Sequence, residues 1–241
     1  MKRETMSILL IVTMMGLTVY FTLYGARGWH RVATWDQMLM RTIEHVKLAG
    51  IAEFFSIIIG IGLGLLITRP GLKFLASPVM GVANAGLAIP PLAFIAAALP
   101  FFGIGPKACI ISLYIYCLLP VLRNVCAGME NIKEGVVESA RGIGMSNMQI
   151  FWRIELPLSL PIIVAGIRVS TILCVGTAAL GGLIAAGGLG QIILRGLAVN
   201  FAPLMLQGAL LVTVLAIILD LILGRVEILL TPKGLKIKGR E

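Results

Sequence analysis

The chain has 241 residues, 59% of them apolar and only 13% charged, with 28 glycines and a mean hydropathy of +1.00. A soluble domain carries about a quarter charged residues, so this supply is too small to cover a water-facing surface. The composition is that of an integral membrane protein, in a single domain over 1–241. The net charge of +9, from 20 Lys and Arg against 11 Asp and Glu, does not point to nucleic acid. The basic residues are scattered between apolar runs, and few aromatics stand ready to stack on bases.

Six stretches offer the roughly 20 apolar residues that cross a bilayer core: 7–24, 48–67, 78–102, 108–126, 161–186 and 204–224. None alternates in the manner of a barrel strand, and lipid forces the backbone to satisfy its own hydrogen bonds. The expected fold is therefore all-α and polytopic. The first stretch follows Met1, Lys2 and Arg3 and also has the look of a secretory signal. Its 18-residue core exceeds the usual apolar core of about 7–15 residues, so a retained helix is expected. A polar segment, 25–47, follows, with Trp29, His30 and Trp35 serving either as an interfacial aromatic belt or as a contact for a partner.

Glu53 falls about six residues, on the order of 9 Å, into the second span. An acid at that depth either guards a polar path or pairs with a neighbouring helix. Gly60 and Gly64 form a GxxxG pair suited to close packing. Asn84, Pro90 and Pro91 interrupt the third span and are candidates for a path or gate, or for a plain kink, and Pro120 interrupts the fourth. Arg168 lies in the fifth span, where a pairing with carboxylates of the preceding loop is expected. Gly181, Gly182, Gly187 and Gly188 thin the end of that span. Arg123 and Asp220 sit near span ends, within reach of the interface.

With the N-terminus in the cytoplasm, thirteen Lys and Arg fall on the inner side and six on the outer, so the positive-inside rule places both termini inside. Cys109, Cys117, Cys126 and Cys174 lie in or beside apolar runs without CxxC spacing, and the two histidines stand alone. They read as buried hydrophobes, and no metal site or enzyme centre is expected. There is no GxxxxGK[ST] phosphate loop, and no Gly-Lys dipeptide at all.

The long inner segment, 127–160, exceeds the length at which loops usually hold structure of their own. A short helix is expected over Lys133–Ile143, ending at Gly144, which tolerates a positive φ. A second opens with Ser146 as N-cap and Gln149 three residues on, presents Met148, Phe151, Trp152 and Ile154, and stops before Leu156 and Pro157.

Within this segment Glu138, Ser139 and Ala140, then Gly144, then Ile154, Leu156 and Pro157 fit the spacing E-A-A-x3-G-x9-I-x-L-P. This resembles the signature loop of the membrane subunits of bacterial binding-protein-dependent ABC importers. Ser139 departs from the usual alanine but is small enough to keep the packing. The stretches His45–Ala52, Gly60–Gly64 with Thr68, Arg69 and Pro70, Ile89–Ala93, Leu118–Arg123, Ala165–Arg168, Gly187–Gly190 and Ile193–Leu197 are similar to the permeases for glycine betaine, choline and carnitine.

The resemblance implies a MetI-like permease fold in the bacterial cytoplasmic (inner) membrane. It also implies a coupling helix around Glu138–Gly144, seated in a groove of a separate ATPase subunit. ATP and Mg would be used by that partner, with no cofactor bound by this chain. A second permease chain, alike or related, would complete the path, and alternating access would move the substrate. With no dense aromatic cluster to hold a quaternary ammonium, substrate capture is expected in a separate extracytoplasmic binding protein. An importer for another small metabolite such as an amino acid, or an ion-coupled secondary transporter, are the other readings.

Overall fold

The structure, a computed structural model, describes residues 2–26, 32–69 and 71–231. Trp29, His30, Pro70 and the basic residues of 233–240 lie outside the described residues. In chain order the elements are α1 (Lys2–Ala26), α2 (Trp35–Ile67), a 3₁₀ turn (Lys73–Leu75), α3 (Ala76–Ala88), α4 (Pro91–Phe102), α5 (Pro106–Glu130) and α6 (Glu134–Gly142). They continue with α7 (Asn147–Ile150), a π turn (Phe151–Glu155), α8 (Leu156–Ala178), a 3₁₀ turn (Ala179–Ile184), α9 (Gly190–Ala198) and α10 (Ala202–Leu230). Among the described residues four helical stretches are long and apolar enough to span a membrane: Trp35–Ile67, Pro106–Glu130, Asn147–Ile184 and Ala202–Leu230. Within α1, Thr5–Tyr20 is apolar.

Several expected boundaries move. Helix α2 starts at Trp35, well before the span expected from 48, and takes in half of the segment expected to be polar connection. Thr34 and Gln37 explain the start: Gln37 N–H reaches Thr34 Oγ1 and Thr34 N–H reaches Gln37 Oε1, both at 3.4 Å, a loose capping box. Glu53 therefore lies near the middle of α2. The third span, 78–102, is two helices meeting at 99°; Pro90 caps α4 and Pro91 occupies its first turn, where proline loses no intrahelical bond. Pro120, by contrast, sits inside an unbroken α5. The α-helical part of the fifth span starts at Leu156 and ends at Ala178, so Gly181 and Gly182 lie in the following 3₁₀ turn and Gly187 and Gly188 in the connection beyond.

The chain forms two compact units. The first comprises Met1–Phe54, Ile89–Cys117 and Thr171–Leu221; the second comprises Phe55–Ala88, Leu118–Ser170 and Ile222–Glu241. In the first, Leu48, Ala49, Ala52, Ile95, Leu113, Val175 and Ala178 pack into one core, and Ala33, Met38, Leu189, Ile192 and Leu204 into another. Gln207 of α10 is fully buried in this unit. Its Nε2 donates to Thr22 Oγ1 (2.6 Å) and Ala33 O (3.3 Å), while its Oε1 accepts from Ala33 N–H (3.0 Å).

Because Gln207 answers both backbone groups of a buried residue, Gln207→Leu is expected to destabilise the chain by about 2–4 kcal/mol, the cost of orphaning buried polar groups. Thermal unfolding in detergent measures it. Thr213→Val on the same helix removes only a bond to its own turn, Oγ1 to Ala209 O, and is expected to stay near wild type.

In the second unit Val121, Val125 and Ile163 pack with Ile57, Ile61 and Leu65, and Ile67, Ala83, Leu119, Leu122 and Cys126 form a neighbouring cluster. The GxxxG face performs as expected. A Cβ on Gly60 would fall 2.9 Å from Val121 Cγ1, and one on Gly64 2.6 Å from Val125 Cγ1. The carboxylate found beside Arg168 belongs to α10: Arg168 Nη1 meets Glu227 Oε2 at 3.2 Å. Gly224 leaves room for that guanidinium, since a Cβ there would lie 3.2 Å from Arg168 Cζ.

Candidate functional site

The segment between α5 and α8 is helical for most of its length. Helix α6 turns one residue inward, Ala140, which is 3% exposed, while Glu138 and Ser139 face outward. Ser139 Oγ donates to Gly135 O (2.7 Å). The helix ends with Gly144 N–H on Arg141 O (2.9 Å) and Met145 N–H on Ala140 O (3.1 Å), and Gly144 sits at φ +85, the left-handed ending that glycine favours. Nothing lies within 4 Å of where its Cβ would be.

Ser146 then caps α7 in a full capping box with Gln149. The expected stop before Leu156 and Pro157 does not occur, because the π turn Phe151–Glu155 passes straight into α8. Pro157 is the second residue of α8, at the junction with the π turn, where Leu156 N–H reaches back to Phe151 O. Ile154, Leu156 and Pro157 are half-buried there.

Arg69, two residues beyond the end of α2, secures the π turn. Its Nη1 donates to Glu155 Oε2 (3.0 Å), and its guanidinium lies 4.1 Å over the Phe151 ring, a cation–π contact added to an ion pair. Arg69, Lys73, Glu130, Glu134, Glu138 and Glu155 border a polar cleft of about 550 Å³. On the same segment Ile143, Met148 and Trp152 are 81%, 66% and 59% exposed. A short, doubly capped element thus shows glutamate and large apolar side chains outward while its base is bolted down.

The other candidates differ in burial. Asn84 on α3 and Pro90 at the break are exposed, and Pro91 is half-buried. Glu53 is buried, at 7% exposed; its Oε1 accepts from Thr171 Oγ1 of α8 (3.2 Å), and it stands with Cys117 and Cys174, the three ligand atoms lying within 4.8 Å of one another. No sequence spacing could have signalled that triplet, because three distant helices supply it. Glu44 and His45 are a second feature the sequence reading missed. Glu44 bonds Arg41 Nη1 (2.7 Å) and accepts from Gly188 N–H (2.9 Å), and buried His45 reaches Val175 O through Nε2 (2.9 Å). Gly187 (φ +97) and Gly188 (φ +75) lie against these two side chains, so two separately noted sequence stretches meet in space.

Long apolar helices carrying a capped, partly polar insert define a polytopic helical membrane protein. The chain belongs to the family of binding-protein-dependent transport system inner membrane components, matched over residues 56–229. It is 38% identical over 200 residues to the osmoprotectant import permease protein OsmW of Salmonella typhimurium, covering 81% of this chain and 92% of that one. It is 40% identical over 200 residues to the glycine betaine/carnitine/choline transport system permease protein OpuCB of Bacillus subtilis, covering 83% and 91%. Among solved structures it is similar to the MetNI methionine ABC transporter in an inward-facing conformation, at TM-score 0.73 and 27% identity, over 81% of this chain and 97% of that one.

Proposed function

We propose that the chain is the permease subunit of an ABC importer for glycine betaine, choline or carnitine type osmoprotectants. It moves substrate by alternating access, driven by ATP hydrolysis on a separate subunit. One observation carries the substrate class: relatives alike over four-fifths of the chain are named as permeases for these compounds. The secondary-transporter reading drew on Glu53 and Asp220; Glu53 packs with two thiols and Thr171, and the relatives' names favour the importer.

Helix α6 acts as the coupling helix. Its small Ser139 and its Gly144 turn give close approach to a groove on the ATPase, where Glu138 meets a basic group. Ile154, Leu156 and Pro157 hold the element to α8, so force on α6 reaches a span directly, and the Arg69–Glu155 pair stiffens that joint. ATP and Mg belong to the partner. Both termini and α6 face the cytoplasm by the charge count, the membrane is the bacterial inner membrane, and membrane lipid surrounds the helices. Two permease chains form the path, along which Asn84, Pro90 and Pro91 are the candidate gating positions, and a binding protein delivers substrate from outside.

The test is uptake by the reconstituted transporter with its ATPase and binding protein. ATP-dependent uptake of at least one of betaine, choline and carnitine is expected. Binding of none of the three by the partner binding protein would sink the substrate assignment, and uptake driven by an ion gradient without ATP would sink the class.

A further inference from the structure

We propose that Glu53, Cys117 and Cys174 form a binding site for one thiophilic divalent cation, which on binding ties α2, α5 and α8 together. The carboxylate oxygen and the two sulfurs converge within 4.8 Å. Both cysteines are fully buried and outside any disulfide, and Glu53 is nearly as buried. The setting positions two of the three donors. Thr171 Oγ1 holds one Glu53 oxygen (3.2 Å), and the Cys174 thiol points at Ala49 O (3.4 Å), one turn before Glu53 on α2. Ligating carboxylates are commonly steadied in this way by a second hydrogen bond.

The donor chemistry selects the ion. Zinc takes thiolate sulfur at about 2.3 Å and carboxylate oxygen at about 2.0–2.2 Å, so donors around one ion stand about 3.3–3.8 Å apart, and closing the triplet needs side-chain shifts of about 1 Å. Two thiolates and a carboxylate suit Zn²⁺ or a softer ion. Mg²⁺ and Ca²⁺ demand six or more oxygens and find one carboxylate here. Binding releases two thiol protons to solvent and forms two metal–sulfur bonds; the divalent charge then offsets two of the three anionic donors. The site does not depend on which substrate is carried.

The transporter is purified intact under a non-thiol reductant and titrated with Cd²⁺ and Zn²⁺. One ion per copy of this chain is expected by metal analysis, displaceable by chelator, with Mg²⁺ and Ca²⁺ failing to compete. Cys117→Ser and Cys174→Ser should each abolish that ion, and Cys109→Ser should keep it. In the unmutated chain, where folding is not in question, alkylation is followed by peptide mass spectrometry. At ten times the Kd, Cys117 and Cys174 are expected to react about tenfold more slowly, and Cys109 and Cys126 unchanged. Equal alkylation with and without Cd²⁺ at Cys117 and Cys174, or one ion retained by the double serine variant, overturns the site.

Discussion

Gly144→Trp is expected to leave the chain in the membrane at close to wild-type abundance while ATP-driven uptake falls by more than about tenfold, the equivalent of only 1.4 kcal/mol at the contact. Two properties of the position separate these outcomes. The chain itself has nothing within 4 Å of a Cβ at 144, so bulk there meets no internal obstacle. A second protein seated on α6 would meet it at once. Backbone strain is the confounder, since φ is +85 and a bulky residue in that region costs about 1–3 kcal/mol. Gly144→Asn isolates it, because asparagine tolerates the left-handed conformation. Membrane abundance, uptake and the ATPase that copurifies are measured together. Asparagine is expected to keep most of the copurifying ATPase and tryptophan to lose it. Full ATP-driven uptake by the tryptophan variant contradicts a coupling role for α6.

How much of this segment was readable depends on which interactions are local. The Ser146–Gln149 box and the Gly144 ending are decided within four residues, and both stand as expected. Thr34 and Gln37 offer the same signal at the start of α2. It went unread because a span was measured by the thickness of hydrocarbon rather than followed back to its cap. Proline was legible only in part. Pro91 opens a helix at the 99° break, Pro157 opens α8 behind a π turn, and Pro120 rides inside α5; what distinguishes them is the hydrogen bonding of neighbouring turns, which residue type does not encode. Arg168 with Glu227, Glu44 with Gly188, and Glu53 with the two cysteines are long-range meetings. Composition could say that such groups needed partners and could not say which.

Gly64→Leu is expected to prevent stable accumulation of the chain, whereas Gly62→Leu on the same helix is tolerated. The two glycines differ only in what they face. Gly62 is exposed with nothing near a Cβ, but a Cβ on Gly64 would stand 2.6 Å from Val125 Cγ1 and 2.7 Å from Val125 Cβ. The second of those atoms is fixed to the α5 backbone, so a rotamer change cannot relieve the overlap and α2 and α5 must part. Forcing added carbon into such a contact costs about 1–3 kcal/mol per site, and here Gly60 against Val121 repeats the contact one turn away. The reciprocal change tests the cause. Gly64→Ala alone should lower the melting temperature in detergent, and adding Val125→Gly should return part of it, because a Cβ is moved from one helix to the other. Recovery stays incomplete, since the fully buried methyl groups of Val125 are lost. If Gly64→Ala melts at the wild-type temperature, the helices are not held at the separation that the missing Cβ allows. Strict additivity of the two substitutions would mean that Val125 is not what Gly64 accommodates, because residues in contact couple and independent ones add.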